Sequence, residues 1–375
     1  MDTVDVVVIG GGLVGSAIAY GLTREGRRVT VLDGADEAFR AARGNFGLVW
    51  VQGKGAGLSS YATWTRGSQT RWPTLAAALL AETGIDVQLS QPGGFHLCFS
   101  DAEMQQRDAL LQTLRDDLDG NYPYAMLDHA EVAAKLPGLG AQVVGASYSE
   151  MDGHVNPLKL LRALHTAAQR RGARFVASQQ VDAIEPAASG YTVRTKSARF
   201  DAPRVVIAAG LASRELAAQV GLDVPVAPNR GEVLIGERVA HFLDYPTTYI
   251  RQTDEGTIQV GDSHEDVGFD DGLKTDVLAS IAQHAVRSFP MLAQMKLVRA
   301  WGALRVMSRD GFPVYQESVQ CPGVFAATCH SGVTLAAAHA LRVAPWIAGG
   351  APPDGIEPFS GERFRRAQPL LQPVH

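Results

Sequence analysis

Asp5-Val6-Val7-Val8-Ile9-Gly10-Gly11-Gly12-Leu13-Val14-Gly15 is the stretch that decides the architecture. Val6 to Ile9 is a short apolar, β-branched run, the composition of a strand buried on both faces of a parallel sheet. A glycine turn follows, then Leu13 to Thr23 at helical spacing, then Arg28-Val29-Thr30-Val31-Leu32-Asp33 as a second strand. These pieces form a βαβ unit within about 30 residues. The turn matches G-x-G-x-x-G at the strand-to-helix junction. Gly10 allows the tight turn, and Gly12 lets backbone approach a pyrophosphate whose charge the helix N-terminus favours. Gly15 permits close helix–sheet packing. Asp33 lies 21 residues beyond Gly12, where a carboxylate can bind both ribose hydroxyls. A turn packed for structure alone would leave Asp33 unexplained. An acid at this place favours a free 2′-hydroxyl, hence FAD or NAD rather than NADP.

The rest of the chain suits that reading. Its 375 residues exceed one domain at roughly 150 residues each. Hydrophobic residues make up 46% and charged residues 19%, which excludes global disorder. A net charge of −5 with no long basic run argues against nucleic acid as a partner. Glycine is in excess, with 39 residues. Cys98, Cys321 and Cys329 are too scattered for a disulfide framework, a zinc ribbon or an iron–sulfur ligand set, so no metal site is expected and a reducing, cytoplasmic setting is. Val6 to Thr23 lacks charge, yet its five glycines make a poor membrane span, and Asp2 and Asp5 stand where a signal peptide carries cations. Neither a transmembrane nor a targeting segment is read.

Further elements are predicted along the chain. Ser100 with Glu103 reads as a capping box ahead of a helix to about Leu118. Asn156-Pro157 opens another helix, which Gly172 ends. Strand-like runs occur at 174–177, 191–195, 205–208, 232–235 and 257–260, and the Pro-rich stretch from Gly349 reads as a surface wrap. The predicted fold is α/β: a Rossmann-like FAD-binding domain of glutathione-reductase type, interleaved with an α+β substrate domain on an antiparallel sheet. The expected division gives 1–88, 142–221 and 301–375 to the first, and 89–141 and 222–300 to the second.

Two later segments favour FAD over NAD. Val205 to Ala208 is an apolar strand ending in Ala209-Gly210, where backbone can approach the cofactor again. Val324 to Thr328 is a strand leading into Cys329-His330-Ser331-Gly332-Val333-Thr334, a loop able to present N–H groups to the N1–C2=O edge of a flavin. An NAD-dependent dehydrogenase would use Gly10, Gly12, Gly15 and Asp33 equally well and stays open at this point.

Together these residues resemble the D-amino-acid oxidase superfamily of flavoproteins, which includes glycine oxidase and sarcosine oxidase, over essentially the whole chain. Asn45-Phe46-Gly47-Leu48-Val49-Trp50-Val51-Gln52-Gly53-Lys54-Gly55 and His330 to Leu335 resemble the branch of hydrogen cyanide synthase, opine oxidase and D-hydroxyproline dehydrogenase catalytic subunits. The resemblance implies cofactor contacts at Gly10, Gly12, Leu13, Val14, Gly15, Asp33, Gly34, Arg43, Asn45, Phe46, Gly47, Val181, Ala209, Gly210, Gly302, Arg305, His330, Ser331, Gly332, Val333 and Thr334. Ala303-Leu304-Arg305-Val306-Met307-Ser308-Arg309-Asp310-Gly311 is similar to a superfamily segment whose arginine holds the substrate carboxylate, which makes Arg305 the expected anchor. A surface ion pair is the plainer reading of Arg305. Tyr249 is the expected assistant and Arg251 a second cation. His330 and His96 are not assigned catalytic roles. Ala303 stands where sarcosine oxidases attach flavin through cysteine, so the FAD is expected to be non-covalent. Gln259 replaces a lysine that helps dioxygen react, which leans towards another electron acceptor. The implied substrate is a small secondary or D-amino acid, such as D-hydroxyproline, glycine or an opine, losing hydride from Cα. Partner subunits with further electron-transfer cofactors are a second reading.

Overall fold

The computed structural model describes residues 4–34 and 41–365. A six-stranded sheet runs in the order Val314–Glu317, Val324–Thr328, Arg204–Ile207, Val6–Ile9, Val29–Leu32, Arg174–Val176. Its pairings are parallel except for Val314–Glu317, which lies antiparallel at one edge. Successive side chains of a strand face opposite ways. Val6, Val8, Val31, Val206 and Phe325 therefore join one core, and Val7, Ile9, Leu32, Val205 and Ile207 join another. That is why the strands are apolar without alternation.

The first core packs the Leu13–Arg24 helix against Pro157–Arg170 and Ser59–Thr83. The second lies under a three-stranded antiparallel sheet of Val181–Ala187, Gly190–Thr195 and Arg199–Ala202. Ten of the twelve residues of Leu13–Arg24 are buried, so this helix is covered on nearly every side.

A second body of sheet supplies the roof of the site. Ile250–Gln252, Thr257–Val260, Val226–Arg238 and Leu297–Ser308 form a four-stranded antiparallel sheet. Gly94–Cys98, Gly145–Ser149 and Ala125–Asp128 form a three-stranded one. Phe95 joins the two, its N–H donating to Pro246 O at 3.1 Å and its carbonyl accepting from Thr248 N at 3.0 Å. Two expected boundaries cut through these sheets. Gly145–Ser149 pairs with Gly94–Cys98 although it lies beyond 141, and Leu297–Ser308 runs unbroken across 300.

Local signals translate unevenly. Asn156 caps Pro157–Arg170 by accepting from Lys159 N, and Gly172 beyond the end has a φ of +95°. Ser100 caps Asp101–Asp117 through Glu103 N, but the Glu103 carboxylate returns to Phe99 N rather than to Ser100 N. The reciprocal box forms instead at Asp128 and Glu131. The stretch after Gly349 is more than a surface wrap, because it sinks Ile356 and Phe359 into the first core.

Gly21 marks the tightest helix contact. A Cβ there would stand 2.2 Å from the Ala340 carbonyl oxygen and 2.5 Å from Ala344 Cβ. Gly→Ala within a helix ordinarily stabilises by about 1 kcal/mol. Here overpacking dominates, so Gly21→Ala should lower stability by about 2 kcal/mol. A denaturant midpoint that stays put or rises would overturn this.

Candidate active site

The carboxyl ends of four parallel strands converge on one crevice, the usual ligand position in open α/β sheets. Val6–Ile9 ends at Gly10, Val29–Leu32 at Asp33, Arg204–Ile207 at Ala208 to Gly210, and Val324–Thr328 at the His330–Thr334 loop. Gly10 has a φ of +106°, and a Cβ on it would lie 2.3 Å from Ala208 O. A Cβ on Gly15 would lie 1.9 Å from Gly10 O. These two glycines are dictated by protein packing. Gly12 differs, since a Cβ there would meet only Ala42 Cβ, at 3.7 Å. The residue required by the motif but not by the packing is the one that caps the Leu13–Arg24 helix. No acidic side chain occupies that helix's first turn, which leaves its N–H groups available to an anion. Asp33 Oδ2 accepts the Gly11 N–H at 2.5 Å, which aims the carboxylate at the turn. Gly332 is likewise uncrowded, since a Cβ there would make only ordinary contacts, with Val14 Cγ2 at 3.6 Å and Leu13 Cβ at 3.7 Å. The residues present fit a dinucleotide.

Below this crevice opens a cleft with about 1660 Å³ of empty space, counting its solvent-facing mouth. Of the expected residues it gathers Asn45, Phe46, Tyr249, Arg305, His330, Ser331, Val333 and Thr334. Asn45 Oδ1 accepts from Gly47 N at 2.7 Å, and Gly47, with φ +93°, packs against Val155 O. Thr334 fastens its loop: its carbonyl accepts from Ser68 Oγ at 2.7 Å and Trp72 Nε1 at 3.1 Å, both on the Ser59–Thr83 helix.

Other expected contacts stand away from the cleft lining. Val181 is buried in the second core. Gly302 packs against the carbonyls of Asp271 and Gly272. Arg43 is exposed, while Gly34, Ala209 and Gly210 are half-buried at strand ends. Arg251, expected as a second substrate cation, lies behind the wall. It is 2% exposed, donates to the Phe46 carbonyl, contacts His154 Nδ1 at 3.2 Å and stacks 5.8 Å from the Phe46 ring. Burial holds it down to about 10. Its place makes it a support for Phe46.

Arg305 donates to Asn229 Oδ1 at 3.0 Å and to Asp262 Oδ2. It does form an ion pair, as the plainer reading allows, but inside the cleft, with 13% of its side chain exposed. Gly231 makes its seat possible, because a Cβ there would lie 2.2 Å from the guanidinium. Tyr249 faces the same space, and burial raises its phenol.

Several lining residues carried no assignment in the sequence. Lys54 donates to Ser331 Oγ at 2.6 Å, and Tyr61 bonds the same hydroxyl at 3.0 Å. Burial brings the Lys54 ammonium down to about 8. His96 Nδ1 meets Thr248 Oγ1 at 3.0 Å, and burial, aided by Arg107, pushes it down to about 3. Behind the lining, Asp152 is fully buried; it accepts from Val51 N, Gln52 N and Gln52 Nε2, and burial still lifts it to about 7. Gln52 and Lys54 fall in the stretch that carried the branch resemblance. Arg107 and Asp262 had no signal. Among the described residues no cluster suited to a metal ion occurs, and no helix is long and apolar enough to cross a membrane.

The glycines offer a direct check. Gly15→Ala should fail to fold stably. Gly12→Ala should keep the apoprotein's melting temperature within about 2 °C yet lower the dinucleotide-to-protein ratio at least tenfold, since a methyl there occupies the approach to the helix end. Equal loss of stability in both variants would sink this distinction.

The chain is similar to known proteins over nearly its whole length. The chain is 42% identical to an opine oxidase subunit of Agrobacterium tumefaciens (strain Ach5) over 369 residues, covering 98% of this chain and all of that protein. It is 27% identical to a hydrogen cyanide synthase subunit of Pseudomonas aeruginosa, with 97% of each chain covered. The crystal structure of glycine oxidase from Geobacillus kaustophilus superposes with a TM-score of 0.89 at 26% identity, covering 96% of this chain and 98% of that one. Residues 5–346 match the model of the DAO family, described as FAD dependent oxidoreductase, and the chain belongs to that family.

Proposed function

We propose that this chain oxidises the Cα of a small amino acid, secondary or of D configuration, with D-hydroxyproline, glycine and opines as the leading classes. The observation that carries the reading is the shared cleft, in which Arg305 and Tyr249 face the same space as the His330–Thr334 loop. FAD is the family's cofactor, so the NAD-dependent alternative falls away. When bound, FAD supplies the hydride acceptor at N5, and the amine's carbon becomes an imine that hydrolyses or, from a ring substrate, stays cyclic.

The chain's own residues supply position and charge. Arg305 holds the substrate carboxylate by charge-assisted hydrogen bonding while Asn229 and Asp262 steady its Nη1 and Nη2. The Tyr249 hydroxyl, protonated at neutral pH, donates to the same carboxylate. His96 and His154 are held neutral by burial and carry no proton for an acid step near pH 7. An amine bound as its free base needs no side-chain base, so orientation is the main contribution. Gln259 supports an acceptor other than dioxygen. The relatives named as subunits support a partner protein for that role. All three cysteines are unpaired, which supports a cytoplasmic setting.

Anaerobic bleaching of the flavin by a panel of primary, secondary, D- and L-amino acids tests the reaction. Arg305→Ala should raise KM by roughly 30-fold, the loss of ~2 kcal/mol of charge-assisted hydrogen bonding, with the flavin spectrum intact. An unchanged KM would remove Arg305 as anchor.

Lys54 adds a pH dependence. It is a cation below about pH 8 and neutral above, so the cleft loses one positive charge as pH rises from 7 to 9. Carboxylate inhibitors should bind more weakly across that window, and Lys54→Met should flatten the profile. A profile unaltered by Lys54→Met would count against the assignment.

A further inference from the structure

The peptide that joins Gly11 to Gly12 has little orientation of its own. Neither residue carries a Cβ, so this peptide can rotate about as easily as a chain allows. A trans peptide points its carbonyl and its N–H in opposite directions. Gly12 caps the Leu13–Arg24 helix, with φ −72° and ψ −173°. At that helix end an N–H favours an anion, and a carbonyl oxygen in its place repels one. The orientation of a single Gly-Gly peptide therefore matters to the cofactor.

Two side chains fix it. The Gly11 carbonyl accepts from Ser16 Oγ at 2.9 Å and from His165 Nε2 at 2.9 Å. Nε2 also lies 2.8 Å from Ser16 Oγ, so the two groups brace each other. A carbonyl oxygen only accepts, which assigns the imidazole proton to Nε2. Burial pushes the His165 imidazole below its ordinary range, so near pH 7 it stands neutral with that one donor. The Phe175 ring lies 4.4 Å from it and limits its tilt. Ser16 belongs to the same helix as the turn, but His165 comes from Pro157–Arg170, 154 residues beyond Gly11. The preceding peptide is held as well, because Asp33 takes the Gly11 N–H. Gly11 is clamped on both sides by residues outside the turn.

We propose that His165 is a positioning residue for the FAD pyrophosphate: with Ser16 it holds the Gly11 carbonyl away from the crevice and so keeps the Gly12 N–H towards the phosphates. The glycine motif supplies the freedom, and a histidine from a distant helix removes it. This role is independent of which amine the cleft oxidises.

The test titrates the apoprotein with FAD, followed by the change in flavin fluorescence. It then measures ADP, which carries the pyrophosphate without the flavin, by competition against FAD. His165→Phe keeps a ring but loses the donor, and should raise both Kd values roughly tenfold, the effect of one charge-assisted hydrogen bond. His165→Gln places an amide donor within reach of the same carbonyl and should stay within about threefold of the wild type. Ser16→Ala removes the second donor and should weaken FAD and ADP in the same sense. Wild-type affinity for FAD in His165→Phe overturns the proposal. Equal weakening in His165→Phe and His165→Gln overturns it too, since the shape of the ring would then matter and its donor would not. Weaker FAD with unchanged ADP moves the effect to the flavin end and has the same consequence. Unchanged FAD and ADP affinities in Ser16→Ala also overturn it, and that arm stands even if His165→Phe fails to fold.

Discussion

A methyl group on Gly15 would stand 1.9 Å from the Gly10 carbonyl oxygen, and one on Gly10 would stand 2.3 Å from that of Ala208. These two approaches hold the first turn of the Leu13–Arg24 helix down on the ends of Val6–Ile9 and Arg204–Ile207. Every later feature of the site depends on that seat. It brings the helix N-terminus to the crevice and sets Asp33 against Gly11. Between two glycines fixed by packing it leaves Gly12, whose missing side chain faces space. The protein therefore separates folding from cofactor recognition within a six-residue turn.

The cleft is a problem of charge balance. Arg305, Arg107 and Lys54 bring three cations to its wall, and Asp262 is the one lining acid paired directly with any of them among the described residues. Neutral groups take up the remainder: Ser331 under Lys54, Gln52 and Ser147 under Arg107. Such an arrangement favours anionic ligands over cationic ones, independently of which carbon is oxidised. The histidines are silent because burial, aided in each case by a neighbouring arginine, holds His96 and His154 neutral.

Much of this was legible in the sequence, and the reason is locality. The glycine turn, the acid after the second strand and the cap at Asn156 are interactions between near neighbours, so spacing alone reveals them. The Ser59–Thr83 helix escaped because Pro73 lies in its interior, where proline reads as a breaker. Arg107 escaped for a different reason. On its own helix it is one charged residue among many, and only the pairing of Gly94–Cys98 with Gly145–Ser149 brings Ser147 to it. Arg251 was read as a substrate cation because nothing local reveals that Phe46, some two hundred positions earlier, covers it. Boundaries suffered similarly, since Leu297–Ser308 serves both the roof sheet and the cleft.

The central position of Val6–Ile9 bears on how the chain is made. Its neighbours are Val29–Leu32, available at once, and Arg204–Ile207, which emerges after about two hundred residues. Until then one edge of the earliest strand is unpaired, and the oxygen on which Gly10 rests does not exist. Val324–Thr328 and its loop arrive later still. At ribosomal speeds of roughly 5–20 residues per second, the nascent sheet stays incomplete for ten seconds or more. A long-range topology of this kind closes slowly. The crevice closes late because it is gathered from segments as far apart as Gly10 and Thr334, and a cofactor that binds only the assembled crevice fastens those segments together.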